Sequence, residues 1–129
     1  MHLKESDLLY GDKNKFGIYQ IRDDVEELRN FRFTRMRELK ANGLSVNRIN
    51  YELVYIGALD IRDTRTNLHK IYADFNSDER PADYAGRSVS VSDVIVLQWR
   101  GNVSAHFVDS IEFVKIDAFF AELKKQEEK

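Results

Sequence analysis

From Arg87 to Ile116 the chain carries its densest run of β-forming residues, and the rest of the sequence reads as what packs against it. Ser88 to Ser92 alternates, valines at 89 and 91 against serines at 88, 90 and 92, which predicts a half-buried strand or strand lead-in. Asp93 breaks the alternation, and its side chain is expected to accept from backbone amides just after it and fix a turn. Val94 to Trp99 is apolar throughout except for Gln98, the pattern of a strand covered on both faces. Arg100-Gly101-Asn102 supplies a turn, and Val103 to Val108 returns. If Trp99 faces Val103 across that turn, Ile95, Leu97, Trp99, Val103, Ala105 and Phe107 share one face. Val94, Val96, Gln98, Ser104, His106 and Val108 then share the other. Asp109-Ser110 makes a second turn before a strand from Ile111 to Ile116.

Earlier in the chain, Phe16 to Ile21 alternates as a short strand, with Phe16, Ile18 and Gln20 opposite Tyr19 and Ile21. Asp23-Asp24 can cap a helical turn over Val25 to Leu28. One helix from Asp24 to Lys40 would set Arg32 and Arg35 among Val25, Leu28, Met36 and Leu39. An interruption is therefore expected near Phe31 to Phe33, with Thr34 capping a second helix that stops at Asn42-Gly43. Tyr51 to Ile56 is a strand, and Ala58 to Arg65 a charged loop. Asn67 is expected to cap a helix whose Leu68, Ile71, Tyr72 and Phe75 form one apolar stripe ending at Asn76. Residues 77–86 form a loop in which Pro81 fixes φ and Tyr84 is large enough to pack. Asp117 is expected to cap a last helix bearing Phe119, Phe120 and Leu123. Strands gather late and do not alternate with helices, which favours an α+β class: a small, mainly antiparallel sheet with a C-terminal β-meander, packed by short helices. The layout is a loosely held segment over 1–15, one domain over 16–123 and a frayed tail over 124–129.

Composition narrows the functions available. The chain has 129 residues, 43% of them hydrophobic, enough for one core. Twenty Lys and Arg against 22 Asp and Glu give a net charge of −2, too balanced for non-specific capture of nucleic acid or anionic membrane. Without cysteine there is no disulfide framework, thiolate metal site or thiol nucleophile. The polar N-terminal stretch lacks an apolar signal core and no window approaches a membrane span, so a cytoplasmic location without membrane contact is expected.

Catalytic constellations are sparse. A Ser92/His106/Asp109 triad can be drawn, but no glycine-flanked nucleophile elbow surrounds any serine. In the register above His106 lies near Val96, away from Ser92. Asp93 and Asp109 lie close enough to share a proton or a cation, although each serves equally as the cap of its own turn. His2, His69 and His106 lack ligand spacing, so neither a metal nor another cofactor is expected, and the chain is read as a non-enzyme. The best candidate surface is a polar set beside the sheet: Asn76, Asp83, Tyr84 and Arg87, with Ser88, Ser90, Ser92 and Asp93. Polar groups on a rigid scaffold bind without a large ordering cost. The competing structural reading makes Tyr84 a core-edge plug and Asn76 a helix stop. A second candidate is the basic region Arg29, Arg32, Arg35, Arg37 and Lys40, interleaved with Phe31 and Phe33, residue types that grip phosphates and stack on bases. Its bland alternative is a solvated helix face whose arginine stems cover apolar surface.

Several separated motifs agree in order with one family. IYQI at 18–21, FRF at 31–33, NYELVY at 50–55, IYADFN at 71–76, PADYAG at 81–86, SVSVSDVIVL at 88–97 and HFVDSIEF at 106–113 resemble the YodL-like family over nearly the whole domain. The chain departs from the usual family pattern at Arg87, Val89, His106 and Glu112. The resemblance implies a bacterial protein carried on conjugative and other mobile elements of Firmicutes, and it brings no activity with it. Together these readings point to a small interaction module that modulates a bacterial host or element protein of unknown identity through the surface around 76–93. The alternative is a nucleic-acid-associated accessory domain using residues 29–40.

Overall fold

The computed structural model describes residues 3–10, 13–59, 63–77, 80–84, 86–110 and 112–121. Five strands form one antiparallel sheet: β1 (Lys15–Ile21), β2 (Tyr51–Ala58), β3 (Val94–Trp99), β4 (Asn102–Val108) and β5 (Phe113–Lys115), in the order β2-β1-β3-β4-β5. The helices are short: α1 (Glu5–Leu9), α2 (Glu26–Arg29), α3 (Met36–Ala41) and α4 (Thr64–Phe75). This is the α+β class expected, with β3, β4 and β5 as the meander.

Both faces of the sheet are covered, so the molecule has two cores. On one face Tyr19, Ile21, Tyr51, Val94, Val96, Ala105 and Phe107 pack with Leu8 of α1, Met36 and Leu39 of α3, and Phe119. On the other, Phe16, Ile18, Ile95, Leu97 and Val108 meet Leu68, Ile71 and Phe75 of α4, together with Val89. The central strand β3 therefore reads as a nearly unbroken apolar run. Gly17 is needed where α1 crosses β1: a Cβ there would collide with the buried side chain of Leu8 and press on Leu53.

The β3–β4 register differs by one residue from the expected one. The turn is the pair Arg100-Gly101, with φ of 51° and 85°, so Trp99 faces Asn102, Val96 faces Ala105 and Ile95 faces His106. Two left-handed residues make the tight hairpin whose twist matches its strands. Leu97 and Phe107 consequently lie on opposite faces, Leu97 under α4 and Phe107 against Phe119. The pattern did not select the register because both faces are buried, and a one-residue slip exchanges one apolar set for another.

Other expectations need correction. Residues 88–92 are not a strand: the Val89 amide donates to Phe75 O at the end of α4, and residues 91–92 form a turn. The valine–serine alternation follows local turns and the helix end. α4 is capped by Asp63, which accepts from the Thr66 amide, and Asn67 lies buried inside the helix. Neither Asp23 nor Asp24 caps α2, which begins after Val25 without a side-chain cap. The break at 31–33 is present, with Phe33 at φ 64°, but Arg35 rather than Thr34 precedes α3. α3 ends at Asn42-Gly43 as expected, closed by the Leu44 amide donating to Leu39 O. Leu8 of α1 is fully buried. The expected positions of His2, Ile111, Leu123 and the tail over 124–129 lie outside the described residues.

Candidate functional site

The polar centre of the molecule forms where β1 and β3 run past their last ladder pair. Tyr19 faces Val94, so the next residues, Gln20 and Asp93, sit side by side on the α4 face. Gln20 is almost wholly buried and works as a clamp: its Nε2 donates to Arg87 O (2.8 Å) and to Asp93 Oδ2 (3.1 Å), and its Oε1 accepts from the Arg87 amide (2.9 Å). Asp93 Oδ2 also accepts from the Ser90 amide (2.9 Å). This carboxylate thus reaches back to residue 90, not forward as expected. Burial pushes its pKa up to about 7, against the opposing pull of the Ser90 amide, Gln20 and the charges of Arg87 and Arg32.

Gln20 and Asp93 between them pin residues 87–93 onto the sheet, and the other candidate residues there are tied to the same frame. Tyr84 packs its ring against Phe75 (5.0 Å) and Tyr55 (5.6 Å), and its hydroxyl donates to Arg87 O. Asn76 ends α4 and its Nδ2 donates to Val89 O. Ser90 Oγ donates to Ser88 O (3.1 Å). Ser92 is buried at φ 87°, its Oγ accepts from the Phe33 amide (3.0 Å), and its carbonyl accepts from Tyr51 Oη (2.7 Å). Asp83 is exposed, 3.5 Å from Tyr55 Oη. Of the eight residues, Asp83 and Arg87 are those whose charged groups face outward.

Arg87 connects the two surfaces that the sequence kept apart. Its Nη1 lies 3.6 Å from Asp23 Oδ1, and the same carboxylate oxygen pairs with Arg32 Nη2. Arg32, expected to belong to a basic helix face, instead leaves the turn at 31–33 and joins the loop before β3. Its proton affinity is lowered by burial and by the Arg87 charge. Its Nε and Nη2 are buried without a hydrogen-bond partner. Arg29, Arg35, Arg37 and Lys40 are exposed and divided between α2, α3 and their link.

A groove of about 980 Å³ runs beside this centre. Six consecutive residues of β2, 51–56, line it; since neighbours in a strand point to opposite faces, the groove lies along the strand's free edge. Bonds from Arg22 N to Asn50 O and from Leu59 N to Asn14 O fix the alternation of the ladder, so the main-chain groups of Leu53 and Ile56 turn away from β1. A bulge at Val54, between the Ile18–Tyr55 and Tyr19–Leu53 pairs, bends this edge. Arg87, Asp23 and Asp83 stand at one side. At the other, Glu5 accepts from Tyr19 Oη (2.6 Å) and from Arg48, whose Nη1 donates to Tyr51 O (2.7 Å). Sequence reasoning missed this groove, Gln20 and Asp23. A glutamine embedded in an apolar strand was the one signal that pointed to the clamp.

The catalytic combinations are not assembled. His106 pairs through Nε2 with Ser104 Oγ (2.8 Å), and burial followed by the Lys115 charge lowers its pKa to about 4. Asp109 Oδ1 accepts from the Met36 and Ser110 amides. Among the described residues no hydrogen bond joins Ser92, His106 and Asp109, and no three acidic or histidine side chains gather as metal ligands. Nor is any helix among them long and apolar enough to cross a membrane.

Sheet and groove together define a small α+β domain with one long open edge strand and, beside it, a polar segment tied to the sheet by Gln20 and Asp93. The YodL-like domain matches this chain over residues 15–119, and the chain belongs to that family. No curated protein and no solved structure matches it significantly.

Proposed function

We propose that this chain is a non-enzymatic protein-interaction module that docks a bacterial protein along the groove between the edge of β2 and the segment around 76–93. The observation that carries the reading is the open eight-residue edge strand lying beside a loop already pinned by Gln20 and Asp93. An extended partner segment gains main-chain hydrogen bonds from such an edge, and side-chain selectivity from its charged rim. Residues 88–92, expected from the sequence to be a strand, are not one, and the edge proposed for pairing is that of β2. Carriage on a conjugative element, and modulation of a host or element protein, belong to the same proposal and rest on the family resemblance. The nucleic-acid alternative has less support, because Arg32 is committed to Asp23 and the remaining basic side chains are scattered.

A pull-down from a bacterial lysate with immobilised wild type, Arg87→Ala and Asp83→Lys proteins tests the reading. Both variants are expected to keep thermal stability close to wild type, since partly exposed charges contribute about 1 kcal/mol or less. Both are expected to lose a partner that the wild type retains. Retention by both variants together with loss on Arg35→Glu/Arg37→Glu would place the working surface on the basic region instead.

A further inference from the structure

We infer that Arg32 and Arg87 form a receptor for a carboxylate side chain on an acidic segment of the partner protein, and that Asp23 fills this receptor in the free chain as an internal stand-in. The inference rests on the protein-binding reading above and names the chemistry of its charged end. Two arginines from separate segments converge on a single oxygen of Asp23. Their side chains are 18% and 31% exposed, whereas that of Asp23 is 66% exposed and sits at the solvent end. The Arg87 contact, at 3.6 Å, is too long for a well-formed hydrogen bond. Neither Nε nor Nη2 of Arg32, the edge with which a guanidinium grips both oxygens of a carboxylate, has a hydrogen-bond partner. Asp23 therefore neutralises the pair without satisfying it.

The backbones that carry the two arginines are held in place. The Arg87 backbone is held in both directions by Gln20, and Arg87 Nη2 donates to Ile21 O (3.4 Å). The residue after Arg32 is fixed by the bond from its amide to Ser92 Oγ. That residue, Phe33, is 62% exposed at φ 64°, a conformation an aromatic residue rarely adopts. A carboxylate that met both guanidiniums in the fork geometry would displace Asp23, and an apolar neighbour on the partner would cover Phe33. The occupant that fits is a segment with Asp or Glu beside an apolar residue.

The test uses the full ¹⁵N-labelled chain titrated with an acetylated, amidated peptide of four glutamates flanked by leucines, with the glutamine analogue as control. The readout is the Nε–H resonances of Arg32 and Arg87. They are expected to shift saturably with the glutamate peptide and not with the glutamine one. Asp23→Asn removes the internal competitor and is expected to tighten binding by about fivefold or more, as the competent fraction rises. Arg87→Gln is expected to weaken it by about tenfold or more. No saturable shift at millimolar peptide, or no tightening in Asp23→Asn, overturns the inference. So does a single-stranded oligonucleotide that shifts these resonances when the peptide does not. If the lysate partner still depends on Arg87 and Asp83 while the peptide leaves both arginines unmoved, the carboxylate receptor is wrong and the protein-binding reading stands.

Discussion

Replacing Asp93 by asparagine tests the polar centre through its pH dependence. The Asp93 carboxyl is raised from 3.8 to about 7 by burial. A group whose folded pKa lies above its unfolded value binds its proton more tightly in the folded state. Stability is therefore greatest when the group is protonated, and falls as pH rises from about 4 to about 7. At 1.36 kcal/mol per pH unit the full penalty above pH 7 is about 4 kcal/mol. Asparagine keeps an oxygen for the Ser90 and Gln20 donors but carries no charge to desolvate. Urea unfolding of wild type and Asp93→Asn, followed by the fluorescence of the single tryptophan Trp99, gives the difference between them at each pH. Taking the difference removes the carboxylates common to both proteins. Asp93→Asn should gain on wild type by about 2–4 kcal/mol between pH 4 and pH 8 and hold that gain above it. A difference that stays flat across this range, or that grows in favour of wild type, would refute the account of a desolvated carboxylate beneath the loop.

Three further outcomes follow from the packing. Leu97→Ala should cost about 2–5 kcal/mol in chemical denaturation, because this side chain is buried under α4 with little room to collapse. Gly17→Ala should cost about 1–3 kcal/mol by the same assay, since the added methyl meets Leu8 in a filled core, and trimming Leu8 in the same chain should recover part of the loss. Phe33→Asn should raise stability by up to about 1 kcal/mol, as asparagine tolerates the left-handed backbone better than phenylalanine; calorimetry showing a loss of that size would mean that the exposed ring packs.

Much of the fold was legible because the strands announce themselves locally. β1, β2 and β3 carry period-two or continuous apolar patterns, and the stripe Leu68, Ile71, Phe75 defines α4. What stayed hidden depends on facts of the third dimension. The hairpin register turned on whether Arg100 enters the left-handed region, which no apolar pattern encodes when both faces are buried. The serines at 88–92 mimic a strand in sequence only: the buried side chains are Val89 and Ser92, three residues apart, and local bonds and turns set the backbone. Asp83 and Arg87 lie in the loop before β3, but the union of Arg87 with Arg32 joins positions 55 residues apart through Asp23. Gln20, the residue that holds the loop, looked like an ordinary polar interruption of a strand.

On the proposed function, the groove beside β2 and Arg87 binds a protein. The most direct measurement is quantitative lysate capture compared across wild type, Arg87→Ala, Asp83→Lys and Arg35→Glu/Arg37→Glu, with folding of each verified by thermal unfolding. The account predicts one protein retained by wild type and by the Arg35/Arg37 variant and lost from both groove variants. Capture that is indifferent to Arg87 and Asp83, or that disappears only when Arg35 and Arg37 are reversed, would contradict it.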